Sequence, residues 1–511
     1  MAQVNKIDSN CTNLRIAEED SFKVVSGDEV WVPYEPNSYD DTGGEITTVS
    51  RNPINSSRQR KKGVVTDLDA TAGFNTDLTQ TNVADLLQGF FYADFRRKGE
   101  EIVTDVTATT DLFDVASTTG FQVNDLIEGQ GFTNSANNGL HVVTAIVVDT
   151  TVEALGSTLV TETPPADAQI VNVGHRAGSG DIDVTTTGDY ATYTSTTLDF
   201  TTLGLIPGEM IYVGGDAGAN QFVTSANNGF KRVKSIAANA LVVDKSEVLM
   251  VNETGTGLLI DFYFGRVLKN ESVKTTQVRR TYQVERELGP PDDTLPAQVQ
   301  AEYIVGAVPS EMVMNIGTAD KITLDLSFIA GDQETIDGPT SLKAGTRPAL
   351  VEADAFNTSS DFTRLKLAVH STTSETPTAL FAFLTELTIT LNNNLAANKA
   401  VSVLGAFDVS AGTFQVDASM SAYFGNVSAI TAIRNNSNVT IDMAVAKNNA
   451  GIAMDLPLMT LGDGKLEVEQ DEPVIIPLTS AAATGAGIDA NMDHTMLMVF
   501  FDYLPTLAET T

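Results

Sequence analysis

The chain has 511 residues and a formal charge of −35, because 66 Asp and Glu residues outnumber 31 Lys and Arg residues. This length allows about three or four domains, and so acidic a surface argues against sequence-independent gripping of nucleic acid, because it repels phosphate. The single cysteine, Cys11, excludes an intrachain disulfide and a zinc site built on a cysteine pair.

No stretch approaches the roughly 20 continuous apolar residues that a bilayer span needs. The N-terminal segment MAQVNKIDSNCTNLRIAEED is polar and lacks the apolar core of a signal peptide. We therefore expect no membrane insertion, and a protein that is made and assembled in a cytoplasm.

One pattern occurs twice in the chain: a strand, a long polar loop, two further strands and a short helix. The first copy spans residues 43–95 and the second spans residues 384–436. In each copy a segment, 70–78 or 411–423, alternates small or polar residues with apolar ones, as a half-buried strand does. The duplication predicts a β module used twice, which is typical of a building block.

The loop of the first copy is strongly basic. No carboxylate occurs between Glu45 and Asp67, and five cations lie in that interval: Arg51, Arg58, Arg60, Lys61 and Lys62. On an acidic protein, an exposed cationic loop is complementary to another copy of the same chain. A solvated loop and an RNA-binding or nuclear-import-like run stay open as alternatives, but no aromatic residues flank it for base stacking.

A helix is predicted after this loop, in the segment TQTNVADLLQGFFYADF, with Thr79 or Thr81 as its cap and Arg96, Arg97 and Lys98 at its C-terminal end. Apolar residues recur at helical spacing, which indicates core packing rather than a ligand pocket. These residues are Val83, Leu86, Leu87, Phe90, Phe91 and Phe95.

The middle of the chain contains a shorter repeat. The sequence SANNG occurs at residues 135–139 and again at 225–229, inside two similar segments. Asn-Gly is typical of tight hairpins, since both residues tolerate positive φ. Hairpin turns are therefore predicted at Asn137, Asn138, Gly139, Asn227, Asn228 and Gly229.

These patterns give a mainly β chain with an insertion. Two small all-β repeats at 102–178 and 179–257 interrupt a first module, which is discontinuous. The predicted units are, in order, 1–101 with 258–335 for the first module, 336–376 for a linker and 377–511 for the second module.

The sequence offers no catalytic or metal-binding constellation. His141, His175, His370 and His494 are scattered without metal-ligand spacing. The segment GDGKLEVE at 462–469 lacks the alternating carboxylates of a calcium loop. We therefore predict that the protein is not an enzyme and binds no cofactor and no metal.

Three segments resemble the major tail tube proteins of long, flexible-tailed (siphovirus-type) bacteriophages. They begin with RNPINSSRQRKKGVVTDLDATAGFNTDL near the N-terminus, TYQVERELG in the middle and TELTITLNNNL near the C-terminus. The resemblance covers roughly residues 1–100 and 258–511, and leaves out the insert.

The resemblance implies β-sandwich modules, each with a flanking helix, whose inner strands join between subunits into a barrel that lines a channel. Rings of this kind stack into a tail tube through which double-stranded DNA passes into the host without specific binding. The chain would be a virion protein of the tail, assembled in the host cytoplasm, with itself, tape-measure and tail-end proteins as partners. Two modules per chain favour a trimer with pseudo-six-fold symmetry over a hexamer.

By position, the resemblance makes the basic loop the element that reaches the next ring. The second module would carry a shorter equivalent at Asn392, Asn393, Asn394 and Lys399. Two other classes stay open: a carbohydrate-binding surface adhesin, favoured by the Thr-rich repeats, and another capsid or baseplate component.

Overall fold

The computed structural model describes residues 7, 9, 12–54, 56, 59–186, 189–289, 299–338, 342–371, 373–381 and 383–509, without the side chains of 337 and 338. Across this part of the chain there are 34 strands and two α-helices. The prediction of a mainly β fold is confirmed.

A first group of strands and one helix precedes the insert. In chain order these elements are β1 Asn13–Glu18, β2 Val32–Tyr34, β3 Ser38–Tyr39, β4 Gly43–Arg51, β5 Lys61–Asp77 and α1 Ala84–Phe91. Those of the insert are β6 Glu100–Thr107, β7 Leu112–Val115, β8 Asp125–Gln130, β9 Gly139–Val142, β10 Ala145–Val147, β11 Thr151–Glu153, β12 Gln169–Arg176, β13 Asp183–Thr185, β14 Ala191–Thr194, β15 Met210–Val213, β16 Gly229–Ala237, β17 Ala240–Ser246, β18 Glu253–Thr254 and β19 Asp261–Tyr263.

The remaining elements complete the two modules. The next strands are β20 Arg266–Lys269, β21 Tyr282–Gly289, β22 Val299–Gly317, β23 Thr323–Ala330, β24 Asp332–Gly338, β25 Phe362–Val369, β26 Thr378–Ala379, β27 Leu384–Asn392, β28 Ala396–Lys399 and β29 Ala406–Ser410. The last are β30 Gln415–Tyr423, α2 Ser428–Arg434, β31 Val439–Lys447, β32 Ala450–Asp463, β33 Ile475–Ala483 and β34 Leu497–Phe501.

The chain folds into two compact units, each built from three stretches. The first unit contains Met1–Ala93, Thr275–Ala355 and Glu386–Ala418, and the second contains Asp94–Lys274, Phe356–Thr385 and Ser419–Thr511. The strand β25 lies within the segment expected to be a linker. The domain boundaries drawn from the sequence stay a prediction.

In the first unit, two antiparallel sheets share the long strand β22. Its first half pairs with β21 and β24, and its second half pairs with β23 and β27. The strand changes sheet near Gly306, whose φ of +65° a residue with a Cβ rarely adopts, and a register shift follows between Pro309 and Glu311. Beyond β23 come β5 and then β4, so the second sheet runs β4–β5–β23–β22–β27.

In the core of the first unit, buried and partly buried side chains alternate along the strands. In β23 the side chains of Leu324, Leu326 and Phe328 are buried, and their neighbours along the strand are only partly buried. Helix α1 covers this face, with the ring centroids of Phe90 and Phe328 5.4 Å apart. Burying a phenylalanine side chain of this kind contributes about 2–3 kcal/mol.

Helix α1 is shorter than the sequence predicted. It begins after Val83 without a side-chain cap, because Thr79 and Asn82 bond each other's backbone amides at 3.2 Å before the helix starts. It ends at Tyr92, which has a left-handed conformation (φ 52°). The predicted cap is therefore wrong, and the cations at 96–98 lie beyond the last turn.

The predicted core residues of this helix are all buried, but Phe95 is not in the helix. Phe95 belongs to the second unit and packs edge-on against Phe500, with ring centroids 5.4 Å apart. The helical spacing included it because the sequence pattern continues through the left-handed Tyr92.

The second unit combines a module sheet with the insert. Strand β31 lies between β25 and β32, and both β33 and β34 pair with β32. Strand β20 then pairs with β34, and α2 packs against β32. The insert forms one antiparallel sheet that runs from β10 to β18, with β8 and β9 branching from β12.

The two SANNG segments make the same bonds. The side chain of Asn138 donates to the carbonyl oxygen of Phe132 at 2.9 Å and accepts from its amide at 3.0 Å. Asn228 does the same with Phe222, at 2.8 and 2.9 Å. The internal repeat is therefore a repeat of three-dimensional structure.

The predicted tight hairpin is wrong at both copies. Residues 131–138 connect β8 to β9, and residues 214–228 connect β15 to β16. Asn137 is fully buried and bonds the backbone of Val160 in both directions at 2.8 Å. The asparagines thus clamp a wide loop closed, because both ends of each amide find backbone or side-chain partners.

A buried ion network fastens the insert to the module sheet of the second unit. Its members are all at most 4% exposed: Arg232, Asp244, Lys245, Arg364, Asp442 and Asp455. Arg232 bonds Asp244 through two contacts of 2.8 Å and Asp455 at 3.1 Å. Lys245 contacts Asp455 and lies 3.1 Å from Asp442. Strands β16 and β17 supply half of the network, and β25, β31 and β32 supply the other half.

The network has three cations and three carboxylates, so its charges balance. Burial by itself would raise the pKa of Asp455, but Lys245 and Arg232 outweigh burial and hold that pKa well below its usual range. The same competition lowers the pKa of Asp442, through Arg364 and Lys245. The carboxylates therefore stay ionised in the fold.

We predict that Asp455→Ala destabilises the protein by about 3–5 kcal/mol, because it leaves Arg232 and Lys245 buried without their carboxylate. The measurement is the free energy of unfolding in denaturant. Asp489→Ala is the control, since Asp489 makes a partly exposed pair with Lys234 at 3.2 Å, and we expect at most about 1 kcal/mol there. Equal losses in the two variants would contradict the network's role.

The unfolding free energy should fall in two windows as the pH is lowered. Burial lowers the pKa of His494, which lies 3.9 Å from Asp455, so unfolding takes up a proton and stability declines below about pH 6.5. Because the pKa values of Asp442 and Asp455 are lowered in the fold, their contribution is present above about pH 4 and is lost below it. His494→Gln should remove the contribution of His494, and a variant whose unfolding free energy declines as steeply as the wild type's between pH 8 and 5 would contradict the first window.

Candidate functional site

Strands β4 and β5 form a long hairpin whose outer part is exposed on both faces. We call residues 46–65 the hairpin arm. The two strands pair from Gly43 opposite Thr71 to Arg51 opposite Lys61, with register shifts between Thr47 and Thr48 and between Val49 and Arg51. Burial begins only at Leu68 and then alternates along β5, while the described arm residues of both strands are exposed apart from Gly63. A two-stranded ribbon of this kind has at best marginal stability by itself.

The cations predicted for stacking lie on the hairpin arm. Arg51, Arg60, Lys61 and Lys62 are exposed, and Arg58 lies outside the described residues. Arg51 and Lys61 face each other across the strands, where like charges destabilise a pair. An anionic partner would relieve this repulsion.

The hairpin arm also carries exposed apolar side chains, which the basic composition of the loop did not indicate. Its exposed large apolar side chains are Ile46, Val49, Ile54, Val64 and Val65, each more than half exposed. Apolar side chains gathered on an exposed segment mark an interaction surface. Ile46 and Val49 in β4, and Val64 and Val65 in β5, are the sequence signal for this property.

The predicted loop of the second module is mostly structural. Asn392 is the last residue of β27, and Asn393 is buried. The Asn393 amide nitrogen donates to the carbonyl oxygens of Phe90 at 3.0 Å and Pro309 at 3.1 Å. Asn394, at φ 48°, donates to the carbonyl oxygen of Thr413 at 2.7 Å. Asn393 and Asn394 therefore hold the loop in place through hydrogen bonds to backbone carbonyl oxygens of the same unit.

Lys399 brings the two predicted loops together. Its ammonium lies 2.6 Å from a carboxylate oxygen of Asp67 and 2.5 Å from one of Asp69, both at the inner end of the hairpin arm. The hydrogen bond from Lys399 lowers the pKa of Asp67, and the two carboxylates raise the pKa of Lys399. The strand that carries Lys399, β28, pairs with β29 in a second hairpin.

Most outward-facing side chains of β5, β23, β22 and β27 are polar, and we call this layer the polar face. It contains Asp67, Asp69, Asn75, Asp77, Glu311, Asn315, Asp325, Glu386, Thr388, Thr390 and Asn392. The registers place these residues on one side, since Asn75 is opposite Asp325 and Thr390 is opposite Val313 beside it.

Amide groups fix the carboxylates of the polar face. Asn75 and Asn315 donate to the two oxygens of Asp325, at 2.6 and 2.7 Å. Asn392 donates to Glu311 at 2.6 Å. The donors are neutral amides, so these bonds bring no positive charge to the polar face. The signal for this layer is the alternation of apolar and polar residues at 322–330, and it was not part of the predicted site.

No group of three or more His, Cys, Asp or Glu side chains is arranged to hold a metal ion in the part of the chain that the structure describes. Two of the four histidines have local partners: His175 contacts Asp125 at 2.8 Å, and His141 contacts Ser157 at 3.0 Å. Among the described helices, none is both long and apolar enough to span a membrane.

Comparison with known proteins identifies the family. The profile of a family described as phage tail tube protein matches residues 216–482, more than half of the chain. The chain therefore belongs to the phage tail tube protein family. The match runs from the second repeat of the insert through β32 and into β33, and the hairpin arm lies before it. The siphovirus type, and the resemblance of the N-terminal segment, stay predictions.

No curated protein matches the chain. Among solved structures, a phage phi92 endosialidase is similar over 77% of this chain and 69% of that chain, at 10% sequence identity and a TM-score of 0.14. A likeness of that size carries no argument about fold or activity.

We predict that Asn393→Ala costs about 1–3 kcal/mol of unfolding free energy, because it leaves the buried carbonyl oxygens of Phe90 and Pro309 without a donor. Asn398→Ala is the matched control. Its amide donates to Ser410 at 2.6 Å in an exposed position, so the expected change is within about 0.5 kcal/mol. Chemical denaturation of both variants provides the measurement, and an Asn393 variant as stable as the control would refute the structural role.

Proposed function

We propose that this protein is the repeating subunit of a phage tail tube, in which rings of the chain stack through the hairpin arm. The observation that carries the proposal is the arm itself: a ribbon exposed on both faces, cationic at its end and apolar along its length. Such a ribbon gains stability only by contact with another chain. Because the protein is strongly acidic, a second copy is the partner that its charge favours.

The open edge of the first unit's sheet supports closure into a ring. Strand β4 pairs only with β5 among the described strands, so its other side presents unpaired backbone groups. Edges of this kind aggregate unless they are covered or closed. Edge-to-edge joining of neighbouring copies would remove them, as closure of a barrel does. Two modules per chain favour three chains in a ring over six.

The polar face is suited to line the channel. Asp67, Asp69 and Asp77 of β5 lie on it with Asp325, and the only cations bound to these four within the described chain are Lys399 and Lys321. A wall with excess negative charge repels phosphate, so double-stranded DNA would slide past it without being held.

The remaining parts of the proposal follow from this role. The chain would have no catalytic activity, would assemble in the host cytoplasm and would reside in the virion tail. Its partners would be itself, a tape-measure protein, tail-end proteins and the passing genome. The insert, fastened by the buried ion network, would decorate or stiffen the outside of the tube.

The test is charge reversal in the hairpin arm. We predict that Arg60→Glu, Lys61→Glu and Lys62→Glu together leave the unfolding midpoint unchanged, because these side chains are exposed, and abolish stacking, because the end of the arm becomes anionic. Negative-stain electron microscopy at high protein concentration would show wild-type tubes, and their rotational symmetry would distinguish three chains per ring from six.

The matched control reverses three exposed cations elsewhere: Lys274→Glu, Arg434→Glu and Lys465→Glu. It changes the net charge by the same amount, and tubes should still form. Tubes of normal length from the arm variant would exclude the arm as the stacking element.

A further inference from the structure

The first unit contains an acidic cleft of about 710 Å³, formed by β1, the loop after it, β2 and helix α1. Six carboxylates line it: Glu18, Glu19, Asp20, Asp28, Glu29 and Asp85. We call this cavity the acidic cleft. Two cations lie near it, Arg280, at 3.3 Å from Glu18, and Lys23, in the loop itself. The carboxylates therefore outnumber the cations about the cleft.

Not all of these carboxylates can receive a partner. Glu19 is buried and already accepts from Thr281 at 2.7 Å and from the amide of Gly306 at 2.8 Å. Glu29 accepts from the amide of Gly27 and closes its own loop. Asp20 and Asp28 are exposed at the mouth of the cleft.

The cleft also presents apolar surface and an unsatisfied hydroxyl. Val30 and Val32 line it and are 52% and 39% exposed. Tyr282 lines it too, is 5% exposed, and its hydroxyl has no hydrogen-bond partner among the described residues. A buried hydroxyl without a partner is costly, and it points to a ligand that brings a polar backbone or side-chain group with apolar side chains.

The hairpin arm has the complementary properties. It carries only positive charge, with Arg51, Arg60, Lys61 and Lys62 exposed, and the fully exposed Ile54 lies among them. A segment that combines cations with an apolar side chain matches a cleft that combines carboxylates with valines.

The arm cannot fill the cleft of its own chain. Tyr34 in the cleft wall packs on Phe74 of β5, with ring centroids 5.9 Å apart. From Phe74, β5 runs as one strand back to Lys61, a length of about 40 Å at about 3.3 Å per residue. The cationic end of the arm therefore lies far along the strand from the cleft of the same copy.

We propose that the hairpin arm of one copy docks in the acidic cleft of the next copy. This inference rests on the proposed tube function and deepens it, because it names the surface that receives the arm. Repeated head-to-tail docking is a heterologous contact that does not close, and it produces a filament.

A charge swap tests the pairing. The arm variant is Lys61→Glu with Lys62→Glu, the cleft variant is Asp20→Lys with Asp28→Lys, and the third protein carries all four changes. We expect the arm variant and the cleft variant each to lower the fraction of protein in tubes about tenfold or more, since like charges then face each other. The combined variant should recover assembly to within about threefold of wild type. Sedimentation and electron microscopy measure both.

The control is Glu35→Lys with Glu352→Lys, two exposed carboxylates of the same unit outside the cleft. It should assemble like wild type, and all variants should keep the wild-type unfolding midpoint. A cleft variant that assembles normally, or a combined variant that does not recover, would overturn the docking proposal and leave the tube function standing. Absence of tubes from the wild type would count against both.

Cross-linking tests directly whether the arm of one copy lies against the cleft of another. Ser56→Cys and Asp28→Cys are placed in separate chains, each with Cys11→Ser, and the two proteins are mixed with a short thiol-reactive cross-linker. A heterodimer linked between positions 56 and 28 supports docking between copies. Tubes that form without this link would reject the cleft as the receptor.

Discussion

The structure depends on one constraint: a β-ribbon that is exposed on both faces cannot hold its conformation alone. In the first unit, β5 changes character along its length, from an inner half that alternates buried and polar residues to an outer half that is exposed throughout. The inner half pairs with β4 and β23, packs one of its faces into the core and contributes the other to the polar face. The outer half has only β4, so it lacks the packing that stabilises the inner half. Both the stacking proposal and the docking proposal follow from this change.

The sequence predicted features that depend on neighbouring residues better than features that depend on residues far apart in the chain. Alternation along residues 70–78 in β5 and the helical stripe of α1 are local patterns, and the apolar residues they indicated are buried in the fold. The helix ends were wrong because Thr79 bonds Asn82 before the helix, a choice between two local partners that the sequence leaves open. Asn-Gly favoured a hairpin by its conformational preferences, whereas the side chains of Asn137 and Asn138 found partners about 23 and six residues away in the chain and closed a wide loop.

The buried ion network could not be predicted from the sequence. Arg232, Asp442 and Asp455 look like surface residues in a sequence, since charged residues are almost never fully buried unless they are paired. Their pairing is set by a contact between the insert and a sheet more than 200 residues later in the chain. An insert held only by apolar packing could slide or rotate, whereas six charges that must all be matched accept one position. In this way the network fixes how the insert sits within the second unit.

The same reasoning connects the two hairpins of the first unit. Lys399 binds Asp67 and Asp69 where β5 passes from the polar face into the hairpin arm. Without a cation there, two carboxylates on one side of the strand would repel each other at the base of the ribbon. Lys399 removes this repulsion and ties the β28–β29 hairpin, with its exposed Val401 and Phe407, to the same point. A contact that covered the second hairpin would therefore also act on the base of the arm, because Lys399 joins the two.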